Sequence, residues 1–294
     1  MALTGRKQVW ALVAIGLAAA AWFALRGREQ ADSVEASAAM VGEARTGTLT
    51  VQLPSAVGDI KVTEARVPGR PIVLLDPGHG GRDPGATGVS GAVAERELTL
   101  ALARELRDLL AERGRVRVAM TRDDDRYLTL EQRAAIARRL GAALFISLHM
   151  DSAPNPLARG VTIYSLSDVA SSAEAAHFAA AENAAGGALT SESDGSVRAL
   201  LADLALRGQM ERSAGLATRL VRRADGQVTL RPRPHQFAAF HVLRRAEVPA
   251  VLVEAGYISN ADDELMLRSK GGRAALVLVL AQAIEADVAA GARR

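Results

Sequence analysis

The sequence predicts an α/β fold: a largely parallel, twisted sheet with helices on both faces and one inserted helical segment. Two observations and one rule of strand pairing support this prediction. From Pro71 onward, short apolar runs alternate with longer stretches whose apolar residues recur at helical spacing. Strands that alternate with helices pair in parallel, because each helix carries the chain back across the sheet. The chain of 294 residues is also long enough to bury a hydrophobic core.

The predicted strands and helices follow one another in a regular order. The strands are short apolar runs, at Ile72–Leu75, Val116–Thr121, Ala143–Leu148, Gly160–Tyr164 and Ala250–Val253. Shorter candidate strands are Thr48–Leu53 and Asp59–Thr63. Thr129 with Gln132 forms a capping-box pattern and Gly141 is a helix-ending residue. Helices are therefore predicted at Glu95–Glu112, from Thr129 to Gly141, and at Gly272–Ala290.

Residues 168–228 interrupt this order. Alanine-rich stretches with helical character flank Gly186–Ser196, a segment rich in Gly and Ser. Such a composition favours a flexible connection between two helices. The segment at about 168–228 is therefore predicted to be a helical insert with a flexible middle.

Residues 1–28 are predicted to be a signal peptide or a membrane anchor. Basic residues flank an uninterrupted run of apolar and small residues, Val9–Leu25. The run exceeds the ~7–15 residues of a cleaved signal and reaches the lower limit of the ~17–25 that cross a bilayer, which favours an anchor. Ala36-Ser37-Ala38 has the form of a cleavage site, so both alternatives stay open. Either one predicts a periplasmic location for the remainder, with residues 29–70 as a linker and 71–294 as the catalytic domain.

Charge and cysteine content exclude several classes of function. The formal net charge is +3, but residues 1–28 contribute four basic residues and no acid, so the remainder carries −1. That remainder lacks the basic surface and the aromatic residues typical of nucleic-acid binding, so no nucleic-acid partner is expected. The chain has no cysteine, which excludes disulfides and thiolate ligands. A metal ion must therefore bind His, Asp or Glu.

Residues able to bind a metal or transfer a proton lie at the ends of three predicted strands. His79, His149 and Glu254 each follow an apolar run. The carboxyl ends of parallel strands share one edge of the sheet, where ligands bind in open α/β folds. Glu95, in the first turn of the next helix, can point to the same edge. We therefore expect these four side chains to converge.

Two imidazoles and one carboxylate suit a zinc ion that keeps one position open for water. A second carboxylate outside the ligand set then accepts the proton of that water, and Glu254 is the candidate for this base. Taken singly, the histidines could be polar loop residues, and Glu95 could be an acid facing a helix dipole. Glu254 follows four apolar residues, and a carboxylate buried there is rarely left unpaired.

Three sequence blocks resemble a known family. They are Asp76-Pro-Gly-His-Gly-Gly-Arg-Asp-Pro-Gly-Ala86, Ser147-Leu-His149 and Val253-Glu-Ala-Gly-Tyr-Ile-Ser-Asn260. In type and order they are similar to the signature blocks of zinc-dependent N-acetylmuramoyl-L-alanine amidases, over about Pro71 to Ala289. The resemblance implies that His79, Glu95 and His149 hold zinc and that Glu254 is catalytic. It also implies the substrate: the peptidoglycan amide between the lactyl group of N-acetylmuramic acid and L-alanine.

The insert resembles the regulatory region of the division-associated members of this family, in which a helix blocks the active site. Ala179-Ala-Ala-Glu182-Asn183 matches the acidic part of that helix. The resemblance implies that Glu182 is an autoinhibitory zinc ligand and that a protein activator removes the helix. The alternative is that Glu182 is a solvated helix acid.

The sequence leaves two other functions open and contains three further histidines. A zinc peptidase that cuts stem peptides would use the same chemistry, and an inactive wall-binding divisome scaffold would keep the same fold. Since all four chemical positions are filled, the sequence argues against the scaffold. His177 is predicted to lie on the surface of the insert. His235 and His241, which flank two phenylalanines, are predicted to be packing or rim residues.

Overall fold

The computed structural model describes residues 60–185 and 197–291. In this part of the chain, seven strands form one sheet in the order β1-β3-β2-β4-β7-β5-β6. The strands are β1 (Val62–Thr63), β2 (Ile72–Pro77), β3 (Arg117–Met120), β4 (Leu144–Asp151), β5 (Val161–Leu166), β6 (Leu230–Ala238) and β7 (Ala250–Tyr257).

The centre of the sheet is parallel and its margins are not. β2 pairs in parallel with β3 and with β4, and β4 pairs in parallel with β7. β1 is antiparallel to β3, and β5 is antiparallel to β7, while β6 runs parallel to β5. The predicted largely parallel sheet is confirmed, with reversed strands added at each margin.

Helices cover both faces of the sheet. They are α1 (Glu95–Arg113), α2 (Leu130–Leu140), α3 (Ala173–Ala185), α4 (Val197–Ala224), α5 (His241–Arg245), α6 (Ala261–Arg268) and α7 (Lys270–Gly291). One buried apolar cluster joins the sheet to α1, α4 and α7, and a second joins the opposite face to α2, α3 and α5. The capping box of Thr129 and the left-handed Gly141 delimit α2 as predicted.

Strand β6 was not predicted. It contains Pro232 and Pro234, which lack a backbone N–H and disfavour a strand inside a sheet. β6 is the last strand of the sheet, where a proline costs no ladder hydrogen bond on the open side. The short helices α5 and α6 were also missed.

The predicted strand ends at His149 and Glu254 were too early. β4 continues to Asp151 and β7 to Tyr257, so both residues lie within strands, and they are direct neighbours in the β4–β7 register. The backbone pairing of β4 and β7 therefore extends beyond the apolar run of each strand. A register shift between His149 and Asp151 then ends the regular ladder.

The predicted insert contains two helices, α3 and α4. The second half of α4 contributes Leu216, Ala217 and Leu220 to the core, so the segment 168–228 is only partly peripheral. Its predicted flexible middle, Gly186–Ser196, lies outside the described residues, as do the predicted signal or anchor at 1–28 and most of the linker at 29–70. β1 lies within that linker and matches the candidate strand Asp59–Thr63 in part.

Within the described residues, α7 is long and apolar enough to cross a membrane, judged by length and composition. It serves here as a core helix. Leu276, Leu280 and Ile284 are buried, and the helix packs against α1 and α4. Its apolar character is therefore explained by the core.

Candidate metal centre

Three residues from different elements meet at the carboxyl edge of the central strands. His79 lies in the loop after β2, Glu95 is the first residue of α1, and His149 lies near the end of β4. The Nε2 atom of His79 is 3.0 Å from Glu95 Oε1, and the Nδ1 atom of His149 is 3.2 Å from the same oxygen. The structure thus brings together the three metal-binding candidates named from the sequence.

Glu182 of α3 is the fourth member of this group. Its Oε2 atom lies 3.5 Å from His149 Nδ1, and its Oε1 atom lies 4.0 Å from His79 Nε2. In a tetrahedral zinc site with bonds of about 2 Å, neighbouring ligand atoms are separated by about 3.3 Å. The four histidine–carboxylate separations, 3.0 to 4.0 Å, are close to this value, and the donor atoms of His79, His149 and Glu182 all lie within 4.8 Å of one another.

The electrostatics of the group favour a cation. The buried Nε2 atom of His79 makes no hydrogen bond to any described residue. Burial lowers the pKa of His79, but the negative charge of Glu95 and the hydrogen bond of Asp83 outweigh burial and raise it to about 10. Burial raises the pKa of Glu95, and the two histidines outweigh it and lower that pKa. These donors therefore fit a zinc ion in both position and charge.

Two glycines, which have no Cβ atom, make room for the metal-binding side chains. A Cβ atom on Gly78 would lie 2.4 Å from Cε1 and Nε2 of His149. A Cβ atom on Gly85, whose φ is +66°, would lie 2.5 Å from Glu95 Oε2 and 2.7 Å from His79 Cδ2. Both contacts are too short for any larger residue, so the glycine-rich loop is part of the site's geometry.

The loop carrying His79 is held by charged side chains. His79 itself has a left-handed backbone with φ +57°, which is uncommon for a residue other than glycine. Its Nδ1 atom donates to Asp83 Oδ2 at 3.0 Å, which turns Nε2 towards the donor group. Arg133 donates to the His79 carbonyl at 2.7 Å, and Arg122 donates to the Gly78 carbonyl at 2.8 Å.

A buried ion pair lies beneath this loop. Asp76 Oδ1 is 2.7 Å from Arg133 Nη1, and both side chains are almost fully buried. Asp76 also accepts hydrogen bonds from Thr121 at 2.6 Å and from Ser147 at 2.9 Å. Burial raises the pKa of Asp76, but Arg133 and the two hydroxyls outweigh it and hold the pKa below its ordinary value.

Glu254 is fully buried beside His149 in the neighbouring strand. Neither of its carboxylate oxygens makes a hydrogen bond to any described residue. Burial, together with the charges of Asp151, Glu95 and Glu182, raises its pKa well above the ordinary value. A buried carboxylate without a protein partner is costly, so its position indicates a partner that the protein does not supply, such as water or substrate.

Helix α3 is seated by apolar and polar contacts. Ala175 and Ala179 are buried, and the ring of Phe178 packs against Tyr164 and Phe240 with centroid separations of 5.3 and 5.5 Å. This aromatic seat holds the middle of the helix.

Asn183 fixes the helix next to Glu182. Its side chain donates to the Ala239 carbonyl at 2.9 Å and accepts from the His241 N–H at 2.8 Å. Farther along, the Tyr127 hydroxyl donates to the Ala185 carbonyl at 3.3 Å. These contacts hold the carboxylate of Glu182 over the two histidines.

The remaining histidines lie outside the donor group. His177 is exposed on α3, as predicted for the surface of the insert. His235 contacts Ser165 at 2.9 Å and packs on Phe237 with a centroid separation of 4.4 Å, and His241 begins α5. The contacts of His235 agree with the packing or rim position predicted for it.

Sequence reasoning assigned no part to Asp83, Arg133 or Asn183. Asp83 belongs to the first signature block, four residues after His79, and that spacing is a usable signal. The arginine and the asparagine carry no local signal, because the groups that they bind near the site, such as Asp76 and the carbonyls of His79 and Ala239, are distant in sequence.

Comparison with known proteins identifies relatives over most of the chain. A family model described as N-acetylmuramoyl-L-alanine amidase matches residues 73–286. The N-acetylmuramoyl-L-alanine amidase AmiA of Escherichia coli K12 is 33% identical over 236 residues, which cover 79% of this chain and 81% of AmiA.

Two solved structures share the fold. The catalytic domain of CwlV, an N-acetylmuramoyl-L-alanine amidase from Bacillus (Paenibacillus) polymyxa var. colistinus, superposes with a TM-score of 0.52 at 25% identity, covering 73% of this chain and 96% of that domain. The CwlD amidase of Clostridioides difficile, solved in complex with the GerS lipoprotein, superposes with a TM-score of 0.53 at 19% identity, covering 75% and 99%.

Proposed function

The chain belongs to the N-acetylmuramoyl-L-alanine amidase family, and from this premise we propose that it is a zinc enzyme of peptidoglycan whose site is closed by its own helix α3. The activity is the hydrolysis of the amide between the lactyl group of N-acetylmuramic acid and L-alanine. The observation that carries the proposal is the convergence of donor atoms from His79, Glu95, His149 and Glu182, with histidine–carboxylate separations of 3.0 to 4.0 Å.

The zinc ligands are His79 Nε2, His149 Nδ1 and Glu95 Oε1. When bound, zinc supplies Lewis acidity, which polarises a carbonyl oxygen and lowers the pKa of water. Backbone N–H groups of Ala86 and Met150 donate to the two oxygens of Glu95 at 2.9 Å each and keep its carboxylate in place. The ligands are thus pre-positioned by the fold.

Glu254 is the general base. One of its oxygens takes a proton from the attacking water and then delivers it to the departing amine nitrogen of L-alanine. Burial is the first cause of its raised pKa, and a carboxylate with a raised pKa binds a proton more strongly and is therefore a better base. Its lack of a hydrogen-bond partner among the described residues leaves both oxygens available for this transfer.

Glu182 is the autoinhibitory group. In the closed state its carboxylate takes the position that water or substrate needs, and α3 covers the histidines. The seat of Phe178 and the two hydrogen bonds of Asn183 support this assignment, because they hold the helix where Glu182 reaches both imidazoles.

Activation requires α3 to leave, and we assign this step to a protein activator. CwlD was solved with the GerS lipoprotein, an example of a partner bound to a protein of this fold. Residues 1–28, as a signal peptide or an anchor, and 29–70, as a linker, would place the catalytic domain of 71–294 in the periplasm, where it meets peptidoglycan during division.

Digestion of purified peptidoglycan tests the proposed reaction. Mass spectrometry of the products should find free lactyl ends and intact stem peptides, and metal analysis should find one zinc ion per chain. Cut stem peptides would instead identify a peptidase, and intact walls with a zinc-loaded protein would indicate a scaffold.

Two glutamate variants test the closed state. Glu182→Ala should raise the digestion rate of the full chain without an activator, because α3 loses its contact with the two histidines and leaves the site more often. The matched control is Glu211→Ala, which changes an exposed glutamate of α4 and should leave the rate unchanged. Equal rates for Glu182→Ala and the parent would contradict autoinhibition.

A further inference from the structure

Helix α3 makes a second charged contact, near the end opposite Glu182. Glu174 Oε2 accepts a hydrogen bond from Arg231 Nη2 at 2.5 Å. Arg231 belongs to β6 and its side chain is 20% exposed, whereas that of Glu174 is 55% exposed. Arg231 is therefore the more buried partner and belongs to the sheet, whereas Glu174 belongs to α3 and would move away with that helix.

Arg231 lies on the same side of the site as Glu254. Its guanidinium is 5.7 Å from the ring centroid of Tyr257, at the end of β7. Burial raises the pKa of Tyr164, the charges of Glu254 and Asp151 raise it further, and Arg231 opposes them. The strand register supports this placement: Val161 and Thr162 of β5 pair with Leu230 of β6 and Glu254 of β7, so Arg231, next to Leu230, lies across β5 from Glu254 at about the same level.

We propose that Arg231 binds a carboxylate of the stem peptide and that Glu174 occupies this position while α3 covers the site. The inference rests on the proposed function, because it assumes that the stem peptide lies where α3 now lies. In this arrangement α3 imitates the substrate at two points, with Glu182 at the imidazoles and Glu174 at Arg231.

The spacing of the two glutamates indicates which carboxylate is recognised. Glu174 and Glu182 are eight residues apart on one helix, a rise of about 12 Å. An extended peptide covers about 12 Å in three to four residues. Arg231 therefore selects a carboxylate at the third or fourth residue of the stem peptide, counted from the amide that is cut.

The competing explanation is that Arg231 only stabilises the fold, through its ion pair with Glu174. The Glu174 side chain of this ion pair is 55% exposed, and solvent-exposed ion pairs add little to the free energy of unfolding. Phe178 and Asn183 already seat the helix. Once α3 leaves, Arg231 loses its carboxylate partner Glu174, and a planar guanidinium there is well suited to another carboxylate.

Steady-state kinetics on defined muropeptides test the inference. Two substrates are compared, with the carboxyl groups of the third and fourth stem residues either free or amidated. All variants are made in the full chain carrying Glu182→Ala. Arg231→Gln should raise KM for the free form about tenfold or more, as expected for the loss of a charged hydrogen bond, and should change KM for the amidated form less than about twofold.

Three further variants separate binding from structure. Arg231→Lys should recover part of the affinity for the free form. Glu174→Gln breaks the same ion pair and should not raise KM for the free form, because it removes the group that competes with the substrate for Arg231. Arg207→Gln removes an exposed arginine that pairs with Asp203 on α4 and serves as the matched control. Thermal unfolding of each variant shows that the fold is retained.

The outcomes that overturn the inference differ from those that overturn the proposed function. An Arg231→Gln variant with unchanged KM, or with KM raised equally for both substrates, refutes carboxylate recognition while amidase activity persists. Equal effects of Arg231→Gln and Glu174→Gln also refute it, since both then act only through the ion pair. If neither the parent nor Glu182→Ala separates peptide from sugar, the proposed function fails, and the inference fails with it.

Discussion

Replacing Asp76 by Asn should destabilise the protein from beneath the candidate metal centre. The substitution keeps the shape of the side chain and removes the negative charge that faces Arg133 at 2.7 Å. Removing one partner of a buried ion pair leaves an uncompensated charge, which costs about 3–5 kcal/mol. Because Arg133 also donates to the carbonyls of Pro77 and His79, the damage should extend to the loop that carries the first histidine.

The effect should depend on pH in a defined direction. The pKa of Asp76 is lowered from 3.8 in the folded protein, where Arg133 and two hydroxyls outweigh burial. A carboxyl with a lowered folded-state pKa contributes stability above its unfolded pKa and loses that contribution as the pH falls through the folded value. The stability difference between the parent and Asp76→Asn should therefore be full at pH 7 and should shrink below pH 3.8.

Urea unfolding followed by circular dichroism measures this difference. The experiment is run with a chelator, so that bound metal does not contribute, and is repeated from pH 7 down to about pH 3. Asp203→Asn is the matched control, because its carboxylate is 49% exposed in a surface pair and should contribute about 0–1 kcal/mol. A loss below about 1 kcal/mol at pH 7, or one that does not change with pH, would refute the reasoning.

Three further substitutions test the site itself. Glu254→Gln should keep its zinc, measured by metal analysis, and lose about 10²–10⁴ in wall-digestion rate; a rate equal to the parent's would refute its part as base. Gly78→Ala places a Cβ atom 2.4 Å from the ring of His149 and should lower the zinc content of the purified protein, whereas Gly271→Ala, with open space around it, should not. Asn183→Ala removes two hydrogen bonds that seat α3 and should weaken its docking by about 1–3 kcal/mol, so digestion without an activator should rise; an unchanged rate would show that the aromatic seat suffices.

The centre of the fold was predictable because its strands are nearly continuous apolar runs. β2, β4 and β7 are buried on both faces, and burial of that kind leaves a clear pattern in the sequence. The strands at the edges of the sheet do not show this pattern. β6 contains two prolines and mixes buried with exposed residues, so only its position at the edge explains why it is a strand.

The donors of the candidate site were predictable for a related reason. A parallel sheet gathers the ends of its strands, and this is enough to place His79 and His149 together without knowledge of any contact. The supporting residues were not predictable. Arg133 is buried, which is unusual for arginine, and it depends on Asp76 and on backbone carbonyls that only the folded chain brings within reach.

The four acidic and imidazole groups are not held equally, and this inequality bears on how the site works. Glu95 is almost fully buried and accepts two backbone hydrogen bonds, at separations of 3.0 and 3.2 Å from the histidines. Glu182 stands farther off, at 3.5 and 4.0 Å, is 18% exposed, and accepts no hydrogen bond from any described residue. Its position depends on α3 alone. Under the proposed function, displacing Glu182 would open the site and would leave His79, Glu95 and His149 in place to hold the metal.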